Sequence, residues 1–281
     1  MQMMTEQLRW LTARISSIRM AVAGLMICTY AGAATALEPG RDYGCTTPIR
    51  IGVYEFGAWY AQGKGVTVDL FDVISAYTGC TFELVELPRE DVWFAMSKGD
   101  IDVVPGSIWT KERAKLARFV TYVNVPNLAI IRRDGPDRSQ SLDAFLAQRS
   151  GTIGLIDGFL YGSYFDFRLQ STLGDDRIVA ATSPAILFEL LRSGAVELVL
   201  APSIHYFYYV SEMERQASFE VLDTSKAEAQ QSGFALSRAR FSGPQADNWM
   251  RMVEKLLLDG TIREVIGRHL PPRLANSIMT R

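Results

Sequence analysis

Strand-like and helix-like segments alternate along this 281-residue chain, and the alternation limits the folds that it can adopt. β-rich runs cover residues 49–54, 81–87 and 101–104, and apolar residues at helical spacing, each series ending in a glycine, fill the intervals. Strands that alternate with helices build parallel sheets whose faces the helices cover. The first part of the chain therefore predicts an α/β unit.

The same alternation returns after residue 126 with different residues. Its predicted strands cover residues 127–132, 152–156, 196–200, 219–222 and 233–236. One predicted helix begins at Ser183-Pro184, a hydroxyl cap followed by a proline, and ends at Gly194. Residues 141–148 form another predicted helix, and residues 246–269 form two more. Two α/β units joined by two chain crossings predict two lobes with a cleft between them.

Composition and motifs exclude several classes of function. The formal net charge is −2 and the basic residues are scattered, so nucleic acid is not an expected partner. His205 and His269 are the only histidines, which argues against His-based triads and multi-His metal sites. The sequence has no Walker loop, G-x-S-x-G elbow, C-x-x-C or H-E-x-x-H motif. We therefore expect a protein that is not an enzyme and has no catalytic residue, metal or cofactor.

The first 36 residues have the layout of a secretory signal peptide. Three arginines precede an apolar run over residues 20–33, and Ala34-Thr35-Ala36 offers an A-x-A cleavage site. An uncleaved membrane anchor is the alternative, but residues 20–37 are barely long enough to span a bilayer and include polar side chains. We expect cleavage after Ala36 and a periplasmic location.

Three cysteines occur, and Cys28 lies within the apolar run of the predicted signal peptide. Cys45 and Cys80 remain as an even pair in an oxidising compartment. Cys45 precedes the first strand and Cys80 precedes the second, so a disulfide is feasible if these strands are parallel neighbours. Two buried free thiols are the alternative, and we predict the Cys45–Cys80 bridge.

The segment Gly106-Ser107-Ile108-Trp109-Thr110-Lys111-Glu112-Arg113 follows the third predicted strand. Loops at strand ends bind ligands in open α/β sheets. Thr110 is suited to cap a following helix whose free N–H groups would face the cleft, and Arg113 would project from its first turn as a carboxylate receptor. An ordinary cap beside a surface arginine is the alternative that this segment leaves open.

Motifs in a fixed order carry a family resemblance. In the first half they are residues 49–53, Trp59-Tyr60, and residues 65–70, 99–102 and 110–113. This order resembles the strand, aromatic loop, helix start, Gly-x-Ile-Asp strand and Thr-x-x-Arg loop of the family 3 extracellular solute-binding proteins, the amino-acid-binding receptors of ABC importers. In the second half, residues 151–158, 191–197 and 257–266 are similar to the family's glycine turn, helix–strand junction and C-terminal helix pair.

The resemblance implies the α/β fold of the type II periplasmic-binding proteins, with two lobes joined by a two-strand hinge and a ligand cleft between them. The implied divisions are residues 1–36 (signal peptide), 37–125 (first part of lobe 1), 126–225 (lobe 2) and 226–281 (return to lobe 1). The implied partners of this monomer are a small-molecule ligand and an inner-membrane ABC permease. Arg113 would bind the carboxylate of the ligand, Trp59, Tyr60 and Trp109 would line the cleft, and Gly158 would offer backbone N–H groups.

The chain departs from the family pattern at several positions. Where the amino-acid binders carry an acid for the ammonium group of the ligand, this chain has Pro202 or Ser203, and Tyr54 replaces a small polar or acidic residue. A buried ammonium without a carboxylate is costly, which argues against an ordinary α-amino acid. Glu55 or Asp157 are possible substitutes. The predicted ligand contacts are Tyr54, Glu55, Trp59, Tyr60, Ser107, Trp109, Thr110, Arg113, Gly158, Tyr161 and Ser203.

These observations predict the capture of a small carboxylate-bearing solute, either amino-acid-like, aromatic or modified, for an ABC importer. Tyr161 follows the glycine turn and is the second-lobe aromatic that we expect in the cleft. A ligand-sensing subunit of a membrane receptor or kinase is one alternative. A dehydratase-like enzyme on the same fold, with Glu55 as its acid or base, is another.

Overall fold

The computed structural model describes residues 40–136, 139–170 and 176–279, which belong to one unit, Leu37–Arg281. The predicted signal peptide, with Cys28, lies outside the described residues. In chain order, the described strands are β1 (Ile49–Val53), β2 (Phe82–Glu86), β3 (Val103–Ile108), β4 (Ala117–Val125), β5 (Asn127–Arg132), β6 (Ile153–Ile156), β7 (Ile178–Ala181), β8 (Leu198–Pro202), β9 (Phe219–Val221) and β10 (Gln230–Ser237).

Helices connect these strands and cover the sheets. They are α1 (Val66–Thr78), α2 (Val92–Lys98), α3 (Arg113–Leu116), α4 (Leu142–Gln148), α5 (Ser163–Leu169), α6 (Pro184–Ser193), α7 (Ser203–Tyr209), α8 (Glu212–Ala217), α9 (Gly243–Leu258), α10 (Thr261–Gly267) and α11 (Pro272–Ser277). Among the described residues, no helix is both long and apolar enough to cross a membrane.

The strands form two five-stranded sheets, and the two-lobed α/β prediction is confirmed. The first has the order β2-β1-β3-β10-β4, in which β1 is parallel to β2 and β3, and β10 is antiparallel to β3 and β4. The second has the order β7-β6-β8-β5-β9, with β6 parallel to β7 and β8. The chain enters the second sheet at Pro126, between β4 and β5, and returns between β9 and β10. Two segments of the chain thus connect the two sheets, as the predicted two-strand hinge requires.

Local sequence signals determine where several helices begin. The Ser183 hydroxyl accepts a hydrogen bond from the N–H of Ile186, Pro184 occupies the first turn of α6, and Gly194 ends this helix in the left-handed conformation at φ 77°. At α9, Ser242 and Gln245 form a capping box. These caps satisfy backbone groups that a helix end would otherwise leave without partners.

The return segment is anchored in the first lobe by aromatic packing. Trp249 of α9 is fully buried, and its ring lies 5.9 Å from that of Phe234 in β10 and 6.4 Å from that of Phe71 in α1. Burying one such side chain contributes roughly 1.5–3 kcal/mol. The C-terminal helices therefore complete the core of the lobe in which the chain began.

The predicted cysteine pairing is present in the structure. Strands β1 and β2 are parallel, and Ile49 is opposite Phe82 in their register, so the segments that precede them lie side by side. Cys45 and Cys80 form a disulfide with their Cα atoms 5.5 Å apart. The bridge joins the entries of two neighbouring strands at the edge of the first sheet.

Candidate functional site

A cavity of about 720 Å³ lies between loops that follow strands of the two sheets. Its volume is within the range of small-molecule sites. Its lining includes Tyr54, Glu55, Phe56, Trp59, Glu86, Arg89, Glu90, Trp93, Gly106, Ser107, Arg113, Asp157, Gly158, Phe159 and Pro202. The position of the cavity agrees with the rule that open α/β sheets bind ligands beyond the carboxyl ends of their strands.

Arg113 lies in the wall of the cavity that belongs to the first lobe. Its backbone N–H donates to the Thr110 hydroxyl at 3.1 Å, its Nη1 donates to the carbonyl of Ile108 at 3.3 Å, and its guanidinium lies 4.6 Å from the ring centre of Trp93. Burial lowers the pKa of Arg113, and the nearby charge of Arg89 adds to the effect. Among the described residues, no carboxylate forms an ion pair with Arg113.

Arg89, which is not among the predicted ligand contacts, also lines the cavity. Its Nη1 donates to the carbonyl of Asp157 in the second lobe at 2.9 Å, and its guanidinium lies 5.2 Å from the ring centre of Phe159. Its Nε is buried without a hydrogen-bond partner in the described part of the chain. The rule that pointed to Arg113 also applies to Arg89, because this residue follows the carboxyl end of β2.

The two lobes also meet on the far side of the cavity, where the loop after β1 packs on α7. The Tyr209 hydroxyl donates to Oε1 of Glu55 at 2.5 Å, and the rings of Phe56 and His205 lie 4.3 Å apart in an edge-to-face arrangement. Gly57 has φ 58°, and a Cβ added there would lie 3.2 Å from Nδ1 of His205. We call residues 55–57 together with His205 and Tyr209 the interlobe contact.

His205 is fully buried in this contact. Neither of its ring nitrogens has a hydrogen-bond partner among the described residues. Burial lowers the pKa of His205 to about 3, with a smaller effect from Arg89, so the imidazole is neutral at physiological pH. Its ring serves as a packing surface for Phe56.

Aromatic rings form much of the remaining wall. Phe56 packs on Tyr54 and Phe159 with ring centres 5.4 and 6.3 Å away, and the contact with Phe159 connects the first lobe to the second. Trp59 is buried beside them, and Gly106 leaves room for it, since a Cβ on Gly106 would lie 3.3 Å from the Trp59 ring. The cavity therefore combines apolar rings with two guanidinium groups.

Six predicted contacts line the cavity and five do not. Those in the lining are Tyr54, Glu55, Trp59, Ser107, Arg113 and Gly158. The Tyr60 ring is buried in the core of the first lobe while its hydroxyl donates to the exposed Glu86, and Ser203 is buried at the start of α7. The prediction that Tyr161 faces the cleft is wrong, because its hydroxyl accepts the Ile156 N–H at 2.8 Å behind the glycine turn.

Two expectations for the loop after β3 also need correction. Trp109 was expected to line the cleft, but it is 62% exposed and outside the lining, because β3 ends at Ile108 and the chain leaves the sheet there. The Thr110 hydroxyl accepts the Arg113 N–H, but the cap position of α3 is Glu112, whose side chain forms no cap hydrogen bond, and α3 contains only 4 residues. So short a helix gives little dipole, and Arg113 is the basic side chain of this loop that lines the cavity.

The cavity lining contains acidic side chains as well as the two arginines. Four carboxylates line the cavity, those of Glu55, Glu86, Glu90 and Asp157, and all four residues are exposed. Glu55 and Glu86 accept hydrogen bonds from tyrosine hydroxyls. The described residues contain no group of three or more His, Cys, Asp or Glu side chains suited to hold a metal ion.

A known protein family has a model that matches more than half of this chain. The family model for bacterial extracellular solute-binding proteins, family 3, matches residues 54–233. No curated protein sequence matches the chain at a significant level.

Three solved structures illustrate the shared fold. A histidine kinase sensor domain with similarity to periplasmic binding proteins is 19% identical, with a TM-score of 0.65 over 83% of this chain and 98% of that one. The substrate-binding protein of an amino acid ABC transporter is 16% identical, with a TM-score of 0.62 over 79% and 99%. The arginine-, lysine-, histidine-binding protein ArtJ of Geobacillus stearothermophilus is 15% identical, with a TM-score of 0.64 over 79% and 95%. At these identities, the likeness shows the fold.

Proposed function

This chain belongs to the bacterial extracellular solute-binding proteins of family 3, and we propose that it captures a small carboxylate-bearing solute by closing its two lobes on it. The observation that carries the proposal is Arg113, a partly buried guanidinium in the cavity wall without a carboxylate partner among the described residues. A charge-assisted, bidentate pair with a carboxylate would satisfy it. Closure would bury the ligand and give a partner protein a joint surface of both lobes to recognise.

The chemistry of the walls supports an aromatic, apolar or modified carboxylate rather than an ordinary α-amino acid. Tyr54, Phe56, Trp59 and Phe159 offer ring faces in the lining. The resemblance puts Pro202 or Ser203 where the family's amino-acid binders carry an acid, and neither residue is acidic. An ammonium group at that position would lack the carboxylate that the family's amino-acid binders supply there to compensate its desolvation.

A binding experiment tests the assignment of Arg113. Protein purified from cells that express the full chain is titrated calorimetrically with aromatic, aliphatic and amino-acid carboxylates and with neutral sugars. We expect Arg113→Met, which keeps an apolar side chain against Trp93, to weaken carboxylate binding by about 2–5 kcal/mol, since the carboxylate would be left buried and unpaired. Arg273→Met in α11, at an exposed position, is the control. Tightest binding by an uncharged sugar, or unchanged binding by Arg113→Met, would contradict the proposal.

We propose delivery to an inner-membrane ABC importer as the role of the captured solute. The likeness to the substrate-binding protein of an amino acid ABC transporter supports this role. The likeness to a histidine kinase sensor domain supports the alternative, a subunit that reports the ligand to a membrane kinase or receptor. Loss of labelled-ligand uptake in a deletion strain at low ligand concentration indicates import. Normal uptake with a lost response to the ligand indicates sensing.

An enzymatic function of the same cleft has less support than ligand binding. The family and the structural neighbours are binding proteins. Glu55, the candidate acid or base, is exposed and accepts the Tyr209 hydroxyl, which gives it a role in joining the lobes. Turnover of a bound carboxylate that is lost in Glu55→Gln would revive the dehydratase reading.

A further inference from the structure

Two arginines of the first lobe face one cavity. Arg89 follows β2 and Arg113 follows β3, and both side chains line the cavity. Strand β1 lies between β2 and β3 in the sheet, so the two loops start roughly 10 Å apart at a spacing of about 4.8 Å per strand. Tyr54, which directly follows β1, lies between them, and its ring centre is 6.0 Å from Cζ of Arg89. The spacing is suited to two anionic groups on one small molecule.

The two guanidinium groups lack internal counter-charges. Among the described residues, neither Arg89 nor Arg113 forms an ion pair with a carboxylate, although four carboxylates line the same cavity. Arg89 contacts the carbonyl of Asp157, not its carboxylate, and its Nε is buried without a partner in the described chain. Two like charges in a partly buried site repel each other, and the lowered pKa of Arg113 reflects burial first and then Arg89.

None of the four carboxylates in the lining, all of them exposed, forms an ion pair with Arg89 or Arg113. Glu55 binds the Tyr209 hydroxyl and Glu86 binds the Tyr60 hydroxyl. Glu90 and Asp157 are exposed. A ligand that brings its own negative charges would therefore meet two guanidinium groups that the protein itself leaves unneutralised.

We propose that the ligand carries two anionic groups, one bound by Arg113 and the other by Arg89, and that small dicarboxylates are the preferred solutes. This inference rests on the proposed function, because it assigns a second anion position in the same cleft. Arg89 also contacts the second lobe through Asp157, so an anion bound there lies where the two lobes meet. Arg89 would therefore bind the second anionic group of the ligand when the two lobes are closed on it.

Matched pairs of ligands test the inference directly. Each pair differs by one carboxylate replaced with an amide: succinate and succinamate, phthalate and phthalamate, L-glutamate and L-glutamine. Calorimetric titration of the wild-type protein is expected to give at least about tenfold tighter binding of the dicarboxylate in the preferred pair. This comparison needs no variant, so it holds even if a substitution at Arg89 disturbs folding.

Variants then assign the discrimination to Arg89. Arg89→Met is expected to reduce the ratio of the two dissociation constants to within about twofold, mainly by weakening the dicarboxylate, whereas Arg89→Lys retains part of it because it keeps the charge. Arg273→Met, on the exposed face of α11, leaves the ratio unchanged. Equal binding of both members of every pair, or a ratio that survives Arg89→Met, overturns the second anion position alone. Failure of every carboxylate to bind the wild-type protein overturns the proposed function together with it.

Discussion

The interlobe contact makes a quantitative prediction about closure. Tyr209→Phe removes the hydroxyl that donates to Glu55 at 2.5 Å and leaves the aromatic ring in position. A hydrogen bond to a charged group contributes about 1.5–3 kcal/mol, and the exposure of Glu55 to water reduces this to about 1–1.5 kcal/mol. Because the bond joins the two lobes, we expect its loss to destabilise the closed conformation relative to an open one.

The predicted size is a five- to tenfold fall in the ratio of closed to open protein, since about 1.4 kcal/mol corresponds to tenfold. If the ligand is held by closure, its dissociation constant rises by about the same factor, mainly through faster release. Small-angle X-ray scattering of the free protein reports the change in shape, and calorimetry with stopped-flow release measures the affinity and the rate.

Two further variants make the result interpretable. Tyr208→Phe is the control, because the neighbouring ring is 47% exposed. Glu55→Gln removes the charge at the other end of the bond, and the double variant with Tyr209→Phe is expected to be no weaker than the more damaging single variant. Affinity, release rate and scattering that stay within twofold of the wild type in Tyr209→Phe would refute the idea that this bond stabilises closure.

Two predictions concern stability. Replacing Cys45 and Cys80 with serine removes the bridge and frees a loop with a sequence separation of 35 residues. The free energy of unfolding is expected to fall by about 4 kcal/mol, and the melting temperature measured by calorimetry to fall by roughly 8–16 °C. A fall in melting temperature of less than about 2 °C would contradict this prediction. His205 has a folded pKa of about 3, below its unfolded value near 6.5, so its neutral form stabilises the fold above about pH 6.5 and this stability is lost as the pH falls toward 3. His205→Leu should flatten the decline in urea stability between pH 7 and 4, and an unchanged slope would contradict the burial of a neutral ring.

Much of the fold could be predicted because it rests on local patterns. Ser183, Pro184 and Gly194 mark both ends of α6, and the strand–helix alternation predicted the parallel order of β1, β2 and β3. Strand β4 was not identified, although it is paired along its length with β10. Its partner comes from the C-terminal part of the chain, and no local pattern reports a pairing over that distance.

The cleft could be predicted only in part. Arg113 was identified because it follows a strand end within a family motif, and the structure places it in the cavity lining. Arg89 was missed although it also follows a strand end, and Tyr161 was assigned to the cleft although its hydroxyl binds the backbone of Ile156. The end of a predicted strand indicates which loop borders the cavity. The backbone path of that loop then determines whether a given side chain faces the cavity or the core.

The class of the protein could be read from local patterns, because apolar periodicity, helix caps and cysteines placed before strands are properties that each segment carries with it. The chemistry of the site depends instead on contacts between distant segments. The two arginines belong to separate loops, and Tyr209 and His205 are about 150 residues away from Glu55 and Phe56 in the chain, with a separation of 154 for the Tyr209–Glu55 bond. The burial of these side chains, the placement of two arginines without ion-pair partners in the described chain, and the contact between the lobes arise only when both sheets are assembled around the cavity.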